Sequence, residues 1–143
     1  MTGPDKEGRG AARAMVAALA DAGRAADAID FVSAHGTATV FNDLMEGQAL
    51  PRVLGARSGV VPVNSVKGAL GHTLGAAAAL EAIVCVRTLE SGTIAPTAGL
   101  TEIDPLIALD VVHGAARAAD VRVALSTSSG FGGTNAAVVL SRA

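Results

Sequence analysis

The chain has 143 residues, half of them hydrophobic but only 2% aromatic, with neither Trp nor Tyr and a formal net charge of −2. Such a length builds one compact domain, 1–143, around a core of small aliphatic side chains. Scattered Lys and Arg without stacking aromatics exclude a nucleic-acid binder, and no apolar run reaches the ~20 residues of a membrane span.

In chain order, the apolar positions Ala11, Met15, Ala18, Leu19 and Ala22 recur at helical spacing over 10–22, and Gly23 suits a left-handed cap. Ile29 to Ala34 reads as a short strand that delivers His35 to a loop. Asn42 or Asp43 caps a second helix to about Leu54, with Leu44, Ala49, Leu50 and Val53 on one side and Gly47 and Pro51 weakening it. Val60 to Asn64 reads as a strand, Ser65 to Gly71 as a loop, and His72 to about Leu89 as a long helix ended by Ser91-Gly92. The apolar stretch from Thr73 to Val86, which contains Glu81, is expected to be buried. From Ile94 to Ala119, Pro96 and Pro105 predict irregular chain with one short strand near Ile107 to Val111. Two strands, Val121 to Ser126 and Ala136 to Ser141, flank a glycine-rich turn over 129–135. This alternation predicts an α/β unit with a mixed β-sheet packed with helices.

Cys85 is the sole cysteine. It rules out an internal disulfide and fits a reducing compartment. The N-terminal segment is polar, with no signal-peptide stretch, so cytoplasmic residence is expected.

Three polar, glycine-bearing turns each follow a strand, where sites collect in α/β sheets. They are Ala34-His35-Gly36-Thr37-Ala38-Thr39-Val40-Phe41-Asn42-Asp43-Leu44-Met45-Glu46, then Ser65-Val66-Lys67-Gly68-Ala69-Leu70-Gly71-His72, then Gly130-Phe131-Gly132-Gly133-Thr134-Asn135. In order and spacing the three together resemble the second half of the β-ketoacyl-acyl-carrier-protein synthases, over nearly the whole chain. The resemblance implies a thiolase-like half-fold that lacks its first strand and the N-terminal half, where the nucleophilic cysteine of the family resides. It also implies a cytoplasmic, dimeric acyltransferase of fatty-acid or polyketide assembly, performing decarboxylative Claisen condensation.

By the same resemblance His35 and His72 donate hydrogen bonds to the developing enolate, and Lys67 orders the charges and pairs with Glu46. Thr37 and Thr39 match the threonines that hold the phosphopantetheine arm, and their hydroxyls, two apart on an extended segment, point the same way. Phe131 matches an aromatic gate, with glycines such as Gly132 letting the backbone approach the thioester. His72, placed at the start of the long helix, is expected to stay neutral beside the positive end of the macrodipole. No cofactor is expected to bind tightly, because phosphopantetheine arrives on the acyl carrier protein. The implied partners are that carrier and an N-terminal half or ketosynthase-like subunit, with no nucleic acid and no membrane.

Rival readings of the same residues are weaker. His35, Asp43, Glu46 and His72 lack compact metal-ligand spacing, so no metal is expected. No Gly-Lys-Ser/Thr follows the last turn, as a phosphate loop would require. Cys85 lies mid-helix among apolar residues, where a thiol is inert. Ala38 and Ser129 depart from the family pattern, at positions usually held by glycine and by an aromatic residue. The alternatives to a catalytic half are a non-catalytic partner resembling a chain length factor, or an inactive fragment.

Overall fold

The computed structural model describes residues 5–143; the first four residues of the polar N-terminal segment lie outside the described residues. Helix α1 spans Arg9–Asp21 and buries Ala11, Met15 and Leu19. Gly23 (φ 60°) ends it, with its N–H on the Ala20 carbonyl at 3.1 Å and that of Arg24 on Leu19 at 2.9 Å. This is the doubly bonded left-handed cap that a glycine after a helix permits. Ala22 faces solvent rather than the core.

Strand β1 is Phe31–Ser33 and helix α2 is Val40–Leu54. The helix starts ahead of the expected cap. Thr39 is the N-cap, without a side-chain cap bond, and the Asn42 amide is committed to Glu46 Oε2 at 2.7 Å. Gly47 packs tightly on Ile107, from whose side chain a Cβ would lie 3.3 Å away. Pro51 is accommodated inside the helix, which continues to Leu54. Met45 and Leu54 join Ala49 and Leu50 in the core, while Leu44 and Val53 are only half-buried.

Strand β2 is Pro62–Asn64, with proline at its first residue, where a missing N–H is tolerated. The expected loop after it contains a helical turn, α3 (Lys67–Leu70), and the long helix α4 begins only at Ala77 and runs to Ser91. Gly68 permits that turn, because a Cβ there would collide with the Ala98 carbonyl at 2.0 Å. Helix α4 is buried on one face only. Ala77, Glu81, Cys85, Thr88 and Leu89 point inward, whereas Ile83 and Val86 are exposed, so the apolar stretch is not buried as a whole.

The region expected to be irregular carries three two-residue strands, β3 (Thr93–Ile94), β4 (Asp110–Val111) and β5 (Arg117–Ala118). Strands β6 (Val123–Gly130) and β7 (Thr134–Ser141) close the chain and leave only Phe131–Gly133 as the connecting turn. The main sheet has the order β4-β2-β1-β6-β7, parallel except for β7, which pairs antiparallel with β6; β3 and β5 form a separate antiparallel pair. No strand among the described residues pairs with the outer side of β7.

The sheet is covered on both faces, as a mixed α/β sheet requires. On one face Met15, Leu19, Ala49, Leu50 and Leu54 of α1 and α2 pack on Val32, Val63 and Leu125. On the other, Cys85 and Leu89 of α4 pack on Phe31 and Ala124. Successive residues of a strand point to opposite faces, which is why Val32 joins the first core and Phe31 the second.

Candidate active site

The parallel strands β1, β2 and β6 share one direction, and the three glycine-bearing turns leave their carboxyl ends. His35 follows β1 after Ala34. Lys67 and His72 follow β2 on the short α3 and the loop beyond it, and Phe131 heads the turn after β6.

The rings of His35 and His72 lie with centroids 5.5 Å apart and planes at 84°, edge to face. His35 is buried and His72 exposed. Lys67 Nζ stands 3.5 Å from His35 Nδ1 and donates to the His35 carbonyl at 2.5 Å. An ammonium only donates, so His35 Nδ1 accepts and the ring proton resides on Nε2. The Leu74 N–H points at His72 Nδ1 at 3.3 Å, which assigns the same tautomer to the second ring. Burial, then the charge of Lys67, then that of His72, push the His35 imidazole down to about 4, so it is neutral at physiological pH.

The helix dipole expected to act on His72 does not reach it in this fold. His72 precedes α4 by a loop and a turn over Leu74–Ala76, so the end of that helix is not beside it; the Leu74 amide sets its tautomer instead. Leu74 adopts φ 51° to do so, a left-handed conformation that costs a non-glycine residue roughly 1–2 kcal/mol.

Glu46 does not pair with Lys67. Its carboxylate accepts the His35 N–H at 2.8 Å, the Gly36 N–H at 2.7 Å, the Asn42 amide and the Thr127 hydroxyl, and so fastens the His35 turn from beneath. Burial pushes its carboxyl above the ordinary value against those hydrogen bonds. The partner of Lys67 is Glu81 of α4, which also accepts the Ser128 hydroxyl at 3.3 Å; the Lys67 and Glu81 side chains are 6% and 1% exposed. A carboxylate set in an apolar helix face is the available sequence signal for this role, since a buried charge needs a partner.

Thr37 and Thr39 do face one another, with hydroxyls 2.9 Å apart, but not on extended chain. Ala38 between them sits at φ 57°, and that kink brings the two hydroxyls together. Phe131 is 86% exposed at the tip of the hairpin, with Gly132 at φ 79° letting the backbone reverse. Ser129 donates to Asn135 Oδ1 at 2.9 Å and Asn135 to the Gly133 carbonyl at 2.9 Å. Behind this turn lies a cavity of about 240 Å³ lined by Gly8, Gly10, Met45, Ser129 and Asn135 among others.

The arrangement offers two imidazole donors beside a buried cation, with no activated nucleophile among the described residues. Cys85 is fully buried on the α4 side of the sheet, and burial pushes its thiol up to about 12. Among the described residues no group of three or more His, Cys, Asp or Glu is placed to hold a metal. No helix among them is long and apolar enough to cross a membrane. His113 is exposed and remote from these contacts in the hydrogen-bond pattern.

Comparison with known proteins gives concordant matches. The profile of the family described as beta-ketoacyl synthase, C-terminal domain, matches residues 1–101. The tetracenomycin polyketide synthase ketoacyl synthase alpha subunit of Streptomyces glaucescens is 45% identical over 142 residues, covering 99% of this chain and 33% of that protein. The 3-oxoacyl-[acyl-carrier-protein] synthase 2 of Coxiella burnetii is 40% identical over 142 residues, covering 99% and 34%. Among solved structures, the ishigamide ketosynthase/chain length factor superposes with a TM-score of 0.92 at 44% identity, over 99% of this chain and 34% of that one. A type II polyketide acyl-carrier protein in complex with its ketosynthase bound to the hexaketide gives 0.96 at 33% identity, over 100% and 35%. The chain spans about a third of the length of these relatives.

Proposed function

Because this chain belongs to the β-ketoacyl synthases, by their C-terminal domain, we propose that it furnishes the oxygen-stabilising part of a decarboxylative Claisen condensing centre, whose acylated cysteine comes from outside these 143 residues. The observation that carries this reading is the edge-to-face approach of His35 and His72, with both Nδ1 atoms already engaged. Two Nε2–H donors are thereby left for one substrate oxygen.

In the proposed reaction a malonyl thioester loses its carboxylate as CO2, and the electron pair of the broken C–C bond moves onto the thioester oxygen as an enolate. Fixed donors at that oxygen are worth several kcal/mol where water is excluded. The enolate carbon then attacks the acyl thioester, forming a C–C bond and expelling the cysteine thiolate. Burial, with the charge of Lys67 beside it, keeps His35 neutral; Lys67 orients its ring and Glu46 holds its backbone. Thr37 and Thr39 would receive the phosphopantetheine arm of an acyl carrier protein, while Phe131 and Gly132 would border the thioester.

Mixing the chain with a cysteine-bearing ketosynthase half and following malonyl decarboxylation tests the proposal. The expected result is activity that disappears with His35→Ala or His72→Ala. Activity that is indifferent to both histidines would instead support the alternative of a non-catalytic partner resembling a chain length factor. No activity with any such half would sink the catalytic reading.

A further inference from the structure

The segment Ala95-Pro96-Thr97-Ala98 lies outside all three site turns, yet it touches the second of them at successive points. The Asn64 amide donates to the Ala95 carbonyl at 2.9 Å, the Ser65 N–H donates to Thr97 Oγ1 at 3.1 Å, and Gly68 packs directly on the Ala98 carbonyl. Thr97 is itself anchored, its N–H on the Val112 carbonyl at 2.7 Å, and Val112 in turn donates to Val63 of β2 at 2.8 Å.

Ser65 carries the connection onward. Its hydroxyl donates to the Gly36 carbonyl at 2.9 Å and accepts the Lys67 N–H at 3.3 Å. It packs so closely on the first turn that a Cβ at Gly36 would lie 2.5 Å from Ser65 Cβ. The neighbour of His35 and the backbone of Lys67 are therefore held by one side chain, whose own amide is held by Thr97.

We infer that Thr97 is a positioning residue for the histidine site, acting through Ser65 to set the distance between the His35 turn and Lys67. The inference rests on the proposed function for its catalytic consequence, but not for its structural one. The charged and titratable groups around His35 are Lys67, His72 and Glu46, with Glu81 behind Lys67. Of these, Lys67 is the one whose backbone Ser65 fixes.

The test is an NMR titration of the His35 ring in the whole chain, comparing Thr97→Val, which keeps the shape but removes the acceptor, with Thr97→Ser, which keeps the acceptor. Thr97→Val is expected to raise the His35 pKa above about 4 by the share that the Lys67 charge supplies, with burial still holding it below 6.5, whereas Thr97→Ser is expected to titrate like the parent. In the reconstituted condensation assay Thr97→Val should lower kcat by roughly tenfold or more with KM little changed. Ser65→Ala, which cuts the same connection at its middle, guards against a Thr97→Val chain that fails to fold and should give the same upward shift. An unmoved His35 titration in the folded variants, or a Thr97→Ser chain that behaves like Thr97→Val, would overturn the inference. Because the titration needs no partner, a failed condensation assay would count against the proposed function and leave this result standing.

Discussion

Lys67 closes on Glu81, a residue of α4, and not on Glu46, although Glu46 lies beneath the same histidine. Both members of the pair are out of water, so breaking it by removing one partner strands a buried charge. Lys67→Met or Glu81→Leu alone should cost about 3–5 kcal/mol of stability, and the double variant should recover roughly half of that or more. Urea unfolding of the three variants measures it; additive losses would show that the two side chains are energetically independent.

The depressed His35 imidazole makes stability depend on pH. In the unfolded chain the ring takes up a proton near 6.5, and in the folded chain only near 4, so between these values the unfolded state holds more protons. The contribution is complete above 6.5 and is lost as pH falls toward 4. Urea midpoints measured across that window should decline in the parent and decline less in His35→Gln; parallel curves would contradict the assignment.

Two residues pay for their conformations in backbone strain, Ala38 at φ 57° and Leu74 at φ 51°, and both are exposed. Glycine at either position relieves roughly 1–2 kcal/mol of left-handed strain and gives back about 0.4–1 kcal/mol through a freer unfolded chain. Ala38→Gly and Leu74→Gly should each stabilise by about 0.5 kcal/mol, read from the denaturation midpoint. A loss of stability in either would mean that its side chain makes contacts that matter more than its φ.

Cys85 should resist alkylation in the folded chain and react at an ordinary rate once the chain is unfolded, because its thiol is both buried and pushed up to about 12. Mass spectrometry after a timed iodoacetamide pulse, with and without urea, reads this directly. Rapid labelling of the native chain would show that α4 opens readily on the sheet.

The turns at the strand ends were legible in the sequence because each couples a short apolar run to polar residues and glycines, a pattern that the strand period and turn chemistry both dictate. The convergence of His35, Lys67 and His72 was expected from the family resemblance, and the fold achieves it by placing all three beyond the carboxyl ends of parallel strands. Less legible was anything that depends on tertiary contact. Asn42 looks like a helix cap until Glu46 is seen to claim its amide. The start of α4 slipped to Ala77 because the residues around His72 serve the loop geometry of the site rather than helical propensity. Glu81 reads locally as a break in an apolar stretch, and only the fold brings Lys67 to it. Thr97 sits in chain with no periodicity at all, so its link to Ser65 had no local signature.

The outer row of β7 is eight residues long and contains no charge and no proline, and one edge of its backbone is without a strand partner among the described residues. Natural sheets usually blunt such a border with lysine, proline or a bulge. Left bare, it is a zipper with half its teeth showing, and the isolated chain should self-associate increasingly as concentration rises. A lysine substituted for the half-exposed Val138 is the smallest change expected to keep the purified chain dispersed.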